Sequence, residues 1–234
     1  MPDDDLLLRL RRFHDDAFPQ YRSHFQELVA DGQHPTTLFI GCSDSRLVPY
    51  LLTGTGPGEL FLVRNVGAFV PPWSGYLDKQ AESGDWVGFH GTAAAIEFAV
   101  LHLQVSRIIV CGHSHCGGIR AMYSEPNPEA PHLQHWLDLG REAILPVANP
   151  GPEALRRTEQ RAVVLQLERL MAYPMVRRRV EAGQISLHGW HYVIEDGEVY
   201  VFDVHRGTFI AASAAEHAGT GPYMRYDEPT EPPP

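Results

Sequence analysis

The sequence has few cysteines, no long apolar run and no excess of basic residues, and each absence excludes a class of protein. Three cysteines occur among 234 residues, an odd number without the spacing of a disulfide framework, which favours a metal-binding or catalytic role. No apolar stretch approaches the roughly 18 residues that a membrane span requires. The net charge of −10 argues against nucleic acid as a partner. The acidic first residues do not resemble a secretory signal, so we expect a cytoplasmic location.

The pattern of apolar residues predicts one α/β domain over residues 1–218, followed by a mobile tail at 219–234. Strands that alternate with helices predict a central, mainly parallel β-sheet flanked by helices, and alternating hydrophobicity around an Asp-Gly turn at 196–197 predicts an antiparallel edge strand. The N-terminal helices, broken near Pro19, have no obvious cover in one subunit, so we expect them to pack on a partner subunit. The predicted elements are strands at 37–40, 60–66 and 107–111, helices at 47–52, 92–103, 117–122, 153–170 and 175–182, and a long surface loop at 71–91.

Two of the predicted strands end in loops that carry metal-binding residue types. Cys42 follows the first strand, and His113 and Cys116 follow the third. Because the carboxyl ends of parallel strands meet at one edge of a sheet, two thiolates and one imidazole can converge there. A Cys₂His set leaves the fourth position of a zinc tetrahedron open to water. His115 is a rival ligand, but it is adjacent to Cys116 and would strain the chelate, so we favour His113.

Asp44 and Arg46 follow Cys42 closely and form a candidate catalytic pair. Their spacing lets both side chains face one side of an extended turn, where the guanidinium can bind the carboxylate in a bidentate pair. Arg46 would keep Asp44 ionised and directed, so that Asp44 accepts a hydrogen bond from zinc-bound water. An open zinc site yields a hydroxide that attacks an electrophilic carbon, and two thiolate ligands predict an activity that favours alkaline pH.

Four segments together resemble the β-class carbonic anhydrases. They are Cys-Ser-Asp-Ser-Arg at 42–46, Pro-Gly-Glu-Leu-Phe-Leu-Val-Arg-Asn-Val at 57–66, Ala-Ala-Ile-Glu-Phe-Ala-Val-Leu-His-Leu at 94–103 and Cys-Gly-His-Ser-His-Cys-Gly-Gly at 111–118. The resemblance implies zinc-dependent reversible hydration of carbon dioxide to bicarbonate and a proton, in a homodimer or dimer of dimers with one zinc ion per subunit. It implies zinc ligation by Cys42, His113 and Cys116 and a catalytic pair of Asp44 and Arg46.

The resemblance also implies a substrate pocket and a choice between two branches of the family. Gln33 and Phe61 match pocket residues of the plant-like branch, and Gly117 completes the substrate-binding set that we expect. Phe98 stands where that branch commonly has tyrosine. The other branch, in which bicarbonate binding moves the aspartate onto zinc, uses a tryptophan, an arginine and a tyrosine. Arg64 and Tyr192 match the arginine and the tyrosine, but the tryptophan is replaced by Phe39, and phenylalanine has no N–H donor. We therefore expect the plant-like, open site.

Three alternative functions fit the same residues. The same hydroxide could hydrolyse carbonyl sulfide or carbon disulfide, because the motifs do not define the shape of the pocket. A zinc-binding bicarbonate sensor would result if Asp44 closed the zinc site permanently. A redox protein that uses Cys42 and Cys116 is the weakest alternative, because Asp44, Arg46 and His113 would then have no role.

Overall fold

The computed structural model describes residues 6–73 and 91–214, which are organised around a six-stranded β-sheet. The strand order is β2-β1-β3-β4-β5-β6; the first four strands are parallel, and β5 and β6 are antiparallel to their neighbours. The predicted mainly parallel sheet with an antiparallel edge is confirmed, although the sequence pattern does not predict β6. The strands are β1 (Thr37–Cys42), β2 (Leu60–Asn65), β3 (Arg107–His113), β4 (Ser186–Val193), β5 (Glu198–Asp203) and β6 (Thr208–Ala211).

Helices connect the parallel strands and cover the sheet, and β1 is buried along its whole length. The five helices predicted after β1 all form, with ends shifted by at most two residues, whereas α6 follows a proline-rich stretch and is not predicted. The helices are α1 (Leu6–Arg12), α2 (Phe18–Asp31), α3 (Pro49–Thr53), α4 (Gly91–Leu101), α5 (Gly117–Ala121), α6 (Pro131–Leu137), α7 (Pro152–Ala172) and α8 (Pro174–Glu181), with a π-helical turn at Phe13–Ala17 and 3₁₀ turns at Val66–Ala68, Asp138–Ala143 and Ala212–Ala214.

Alternating side chains divide the core into two clusters. Leu38 and Ile40 of β1 belong to the larger cluster, whereas Phe39 belongs to the other. The second cluster also contains Cys42 and Cys116. The candidate metal ligands are therefore part of the core, where packing fixes their positions.

Helix α7 packs closely on the sheet because two strands present glycine beneath it. A Cβ atom at Gly112 of β3 would lie 2.7 Å from Val163 Cγ2, and one at Gly189 of β4 would lie 3.0 Å from Val163 Cγ1. Glycine at both positions leaves room for this approach. It brings the buried face of α7, including Glu159, next to the loop that follows β3.

The N-terminal helices bury none of their described residues within the chain. Neither α1, the π-helical turn nor α2 contains a buried residue, and Leu6, Leu10 and Phe13 are exposed. The two predicted helices form, and the break between them is the π-helical turn; Pro19 lies in the first turn of α2, where a missing N–H is tolerated. Packing of these helices on a partner subunit stays a prediction.

Two sequence predictions lie wholly or mainly outside the described residues. They are the tail at 219–234 and the surface loop at 71–91, of which residues 71–73 and Gly91 are described. The extent of the single domain over 1–218 stays a prediction. Among the residues that the structure describes, no helix combines the length and the apolar character needed to cross a membrane.

Candidate metal centre

Cys42, His113 and Cys116 meet where β1 and β3 end. The sulfur atoms of the two cysteines are 3.9 Å apart, and the ligand atoms of all three residues lie within 4.8 Å of one another. All three side chains are buried. Within residues 6–73 and 91–214, this is the one group of three or more His, Cys, Asp or Glu side chains that is compact enough to hold a metal ion. The structure thus brings together the ligand residues that the sequence pattern proposes.

His113 presents a buried nitrogen atom that has no hydrogen-bond partner. Its Nδ1 atom lies 2.8 Å from the carbonyl oxygen of Ser114, an acceptor, so Nδ1 carries the proton and donates. Nε2 then carries the lone pair, and it has no hydrogen-bond partner in the described chain. A buried acceptor without a donor is unfavourable, and a metal ion would satisfy it. The tautomer and orientation of His113 therefore fit a metal ligand.

The surroundings of the two sulfur atoms favour one thiolate, that of Cys42. The hydrogen bond with Cys116 lowers the pKa of Cys42 to about 4, and backbone N–H groups of Asp44 and Gly67 act in the same direction. The hydrogen bond to an ionised Cys42, together with burial, raises the pKa of Cys116, which the backbone N–H of Gly118 partly offsets. A divalent cation between the sulfur atoms stabilises both thiolates. The donor set of two thiolates and one imidazole fits zinc.

The third cysteine lies outside this group. Cys111 is fully buried in β3, and burial raises the pKa of its thiol far above the usual value. Its sulfur atom lies 3.5 Å from the carbonyl oxygen of Gly112 and does not belong to the compact group of candidate ligand atoms. Packing in the core accounts for its position.

Arg46 binds the carboxylate of Asp44 in a bidentate pair. Arg46 Nε donates to Asp44 Oδ1 at 2.9 Å, and Arg46 Nη2 donates to Asp44 Oδ2 at 2.7 Å. The backbone N–H of Arg46 also donates to Oδ1, at 3.0 Å. These bonds hold the pKa of Asp44 well below its usual range, so the carboxylate is ionised. Its Oδ2 atom lies 3.8 Å from His113 Nε2, which places the carboxylate at the edge of the ligand group.

Arg64 supports the loop that carries Cys42 and Asp44. Its Nε donates to the carbonyl oxygen of Cys42 at 3.1 Å, and its Nη2 donates to the carbonyl oxygen of Asp44 at 2.6 Å. One guanidinium therefore joins the backbone of a candidate ligand to the backbone of the candidate catalytic carboxylate. Arg64 pairs with Gly41 in the sheet register, which places its side chain at this strand end.

His115 is directed away from the ligand group. Its Nε2 lies 3.1 Å from Glu195 Oε1, and the second Glu195 oxygen accepts a hydrogen bond from Ser114 Oγ at 2.7 Å. The bond from Ser114 lowers the pKa of Glu195 to about 2. The backbone of His115 has a φ of +57°, and its carbonyl oxygen accepts a hydrogen bond from Arg46 Nη2 at 3.2 Å. The geometry thus selects His113 over His115 as the candidate ligand.

The expected substrate-binding residues divide into two groups. Gly117 directly follows Cys116, and a Cβ atom there would meet no atom within 4 Å, so open space adjoins the ligand group. Phe61 is the second residue of β2, whereas Asn65, at the far end of β2, pairs with Cys42. Four residue steps along the strand lead from Phe61 to Asn65, a distance of about 13 Å.

Gln33 lies at the same distant end of the sheet as Phe61. It precedes β1, and its neighbours Gly32 and His34 line a cavity with Arg107 and Ser186, which begin β3 and β4. Within a single chain, neither Gln33 nor Phe61 can therefore contact a small molecule at the ligand group.

Sequence patterns missed Glu159 and Glu195, which contact the loop between His113 and Gly117. Glu195 lies in the hairpin turn, where an acidic residue is ordinary. Glu159 did leave a signal, because it lies on the buried face of α7 with Ala162, Val163 and Gln166. An acid at helical spacing within an apolar face indicates a buried partner.

A family model described as carbonic anhydrase matches residues 37–199. The carbonic anhydrase of Pseudomonas aeruginosa is 39% identical over 218 residues, covering 91% of this chain and 92% of that protein. The carbonic anhydrase of Synechocystis sp. is 34% identical over 220 residues, covering 91% and 76%.

Solved structures show the same relationship. The β-carbonic anhydrase CcaA matches with a TM-score of 0.78 and 34% identity, covering 88% of this chain and 90% of that one. A structure from a study of two tetrameric β-carbonic anhydrases of Sordaria macrospora matches with a TM-score of 0.67 and 27% identity, covering 88% and 100%. The family model, the relatives and the shared fold extend over most of the sequence, and they show that this chain belongs to the β-class carbonic anhydrases, enzymes that hydrate carbon dioxide.

Proposed function

We propose that the chain catalyses the zinc-dependent reversible hydration of carbon dioxide to bicarbonate and a proton, with Cys42, His113 and Cys116 as the zinc ligands. The observation that carries this proposal is the buried lone pair of His113 Nε2, which has no partner and faces two sulfur atoms 3.9 Å apart. When bound, zinc in such a set lowers the pKa of a water molecule and supplies a hydroxide nucleophile. One such group within the described part of the chain corresponds to one zinc ion per subunit.

Asp44 is positioned to orient the attacking oxygen. An ionised carboxylate only accepts hydrogen bonds, so a nucleophile next to Asp44 would donate a hydrogen bond to this residue and direct a lone pair toward the substrate carbon. Arg46 occupies both carboxylate oxygens and prevents rotation of Asp44 toward the ligand group. Gly117 provides backbone and open space beside Cys116 for the substrate.

We propose the plant-like, open form of the site. The bidentate pair with Arg46 is the arrangement that keeps Asp44 away from the fourth metal position. Phe39 is fully buried and packs edge-on against Trp190, with ring centroids 6.1 Å apart, so this position offers an apolar edge rather than a donor. Arg64 is engaged by the carbonyl oxygens of Cys42 and Asp44. These contacts favour an open site over one that is gated by bicarbonate.

We infer that Gln33 and Phe61 act on the substrate of a partner subunit, in a homodimer or a dimer of dimers. A small substrate at Cys116 cannot reach residues about 13 Å away at the opposite ends of the strands. The exposed apolar residues of α1 and the π-helical turn provide a surface for a partner, and fungal relatives of this fold are tetrameric. The substrate pocket is then complete only at a subunit interface.

Three variants test this proposal by stopped-flow hydration of carbon dioxide and zinc analysis. Asp44→Asn should retain zinc and lower kcat by about 10²- to 10³-fold, the range for loss of one preorganised hydrogen bond at a reacting group. Cys42→Ser should lose zinc. Asp138→Asn is the matched control, because it also removes a carboxylate that is bound by an arginine, Arg141 Nε at 2.6 Å, and Asp138 does not belong to the group of candidate ligands. An unimpaired Asp44→Asn enzyme, or full zinc in Cys42→Ser, would contradict the proposal.

A further inference from the structure

We propose that Glu159 and His191 form a buried positioning pair that fixes the peptide unit between His115 and Cys116 for metal binding. The inference rests on the proposed role of Cys116 as a zinc ligand. Glu159 and His191 belong to α7 and β4, outside the loops that carry the ligands and the Asp44–Arg46 pair. Neither residue is required to touch the substrate.

Glu159 connects the Cys116 backbone to His191 inside the core. Its Oε1 atom accepts a hydrogen bond from the backbone N–H of Cys116 at 3.0 Å, and its Oε2 atom lies 3.1 Å from His191 Nε2. Glu159 is 4% exposed and His191 is fully buried. Buried carboxylates are unfavourable unless they are paired, and well-packed apolar residues often stabilise a fold as well or better. A contribution to folding alone therefore does not explain an acid on the apolar face of α7.

The peptide unit between His115 and Cys116 is held at both of its polar ends. Its carbonyl oxygen, which belongs to His115, accepts a hydrogen bond from Arg46 Nη2 at 3.2 Å. Its N–H, which belongs to Cys116, donates to Glu159. Because the peptide bond is planar, two such contacts fix the rotation of this unit, and they fix the direction in which the Cys116 side chain leaves the backbone.

The backbone here needs such support because His115 adopts a left-handed conformation, with a φ of +57°. A non-glycine residue in this region is strained unless its surroundings hold it. Without Glu159, the peptide unit can rotate toward a relaxed conformation. That rotation would turn the Cys116 sulfur away from His113 and would remove the acceptor that Arg46 contacts. One buried carboxylate thereby links the geometry of the metal ligand to the geometry of the Asp44–Arg46 pair.

His191 keeps the Glu159 carboxylate in this orientation. Its ring packs edge-on against Phe209, with ring centroids 6.3 Å apart, and its Nε2 contacts the Glu159 oxygen that does not bind Cys116. A carboxylate with both oxygens engaged has no free rotation about its terminal bond. His191 therefore acts on Cys116 through Glu159.

The test compares Glu159→Met with Gln166→Met, a matched control on the same helix. Gln166 is fully buried and accepts a hydrogen bond from the backbone N–H of Val70 at 2.8 Å, so its substitution also removes a buried hydrogen bond to backbone, but away from the metal ligands. Zinc affinity is measured by competition with a chromophoric chelator, and ligand geometry by the thiolate-to-metal and d–d absorption bands of the cobalt-substituted protein.

We expect Glu159→Met to weaken zinc binding by about 10- to 100-fold and to shift the cobalt bands, as substitutions behind metal ligands do. Gln166→Met should keep the affinity and the spectrum of the wild type. Glu159→Gln should retain most of the wild-type zinc affinity, because its amide oxygen can still accept the hydrogen bond from the backbone N–H of Cys116. If Glu159→Met does not fold, His191→Leu takes its place, and it should weaken zinc binding in the same direction.

The inference is overturned if Glu159→Met and Gln166→Met change zinc affinity equally, or if Glu159→Met has the affinity and spectrum of the wild type. If Glu159→Met does not fold, wild-type zinc affinity and a wild-type cobalt spectrum in His191→Leu would overturn the inference instead. Cys116→Ser separates this failure from failure of the proposed function. Full zinc affinity in Cys116→Ser would refute the ligand assignment itself, whereas loss of zinc there with no specific effect of Glu159 would refute only the positioning role.

Discussion

Variants at Gln33 and at Asp44 should complement each other in mixed oligomers. The two residues lie at opposite ends of the parallel strands, and the five steps of β1 from Thr37 to Cys42 alone extend about 16 Å. If each site takes Asp44 from one subunit and Gln33 from its partner, a dimer of one Gln33→Leu chain and one Asp44→Asn chain contains two unlike sites. One site has both substitutions, and the other has neither.

The expected recovery follows from counting sites. Random assembly of equal amounts of the two chains makes about half of the dimers mixed, and each mixed dimer has one intact site of two, so the mixture should reach about a quarter of the wild-type rate. The two chains are expressed with different tags, refolded together, and assayed by stopped-flow hydration of carbon dioxide against each variant alone.

A matched mixture provides the control. A mixture of Asp44→Asn chains and Arg46→Ala chains should show no recovery of activity. Both residues serve the site of their own chain, so every site in a mixed dimer keeps one defect. If the mixture of Gln33→Leu and Asp44→Asn shows only the average of the two separate variants, then Gln33 does not act across the interface. The reasoning from strand length would then be refuted.

Three further predictions concern stability, acid sensitivity and the metal. Gly112→Ala should lower the free energy of unfolding by about 1–3 kcal/mol through overpacking against α7, whereas Gly117→Ala, whose Cβ meets no atom within 4 Å, should not; denaturant titration measures both. Burial lowers the pKa of His188 to about 4. Between pH 6.5 and 4, His188 is therefore protonated in the unfolded chain and neutral in the folded chain. The free energy of unfolding therefore decreases as the pH falls. Relative to His188→Gln, the wild type should lose up to about 3 kcal/mol between pH 6.5 and 4, at about 1.4 kcal/mol per pH unit. Equal losses of unfolding free energy in the wild type and in His188→Gln over this pH range would contradict the prediction. Removal of metal by a chelator should abolish hydration, and added zinc should restore it, whereas activity that persists in zinc-free protein would contradict a metal-dependent reaction.

The convergence of the candidate ligand residues was predictable because it follows from the parallel sheet. Cys42 and His113 stand at equivalent ends of two apolar strand segments, and adjacent parallel strands bring such ends together. The Asp44–Arg46 pair was predictable for a similar reason, since a spacing of two in a turn determines which side chains can meet. These features depend on local pattern and on the direction of the strands.

The support behind the ligands was not predictable from local pattern. Glu159 reaches Cys116 only because Gly112 and Gly189 allow α7 to approach the sheet, and a pattern within α7 does not contain that information. The position of Gln33 shows a second limit. A sequence motif can propose a residue for a substrate pocket, but it does not say which subunit's pocket that residue would serve.

The central claim is that zinc at Cys42, His113 and Cys116 supports hydration of carbon dioxide. The most direct measurement is stopped-flow hydration by protein titrated with zinc, from about pH 6.5 to about pH 9. The account predicts activity that grows in proportion to bound zinc up to one ion per chain and rises smoothly toward alkaline pH. Protein with one zinc ion per chain and no hydration of carbon dioxide at any pH would contradict it.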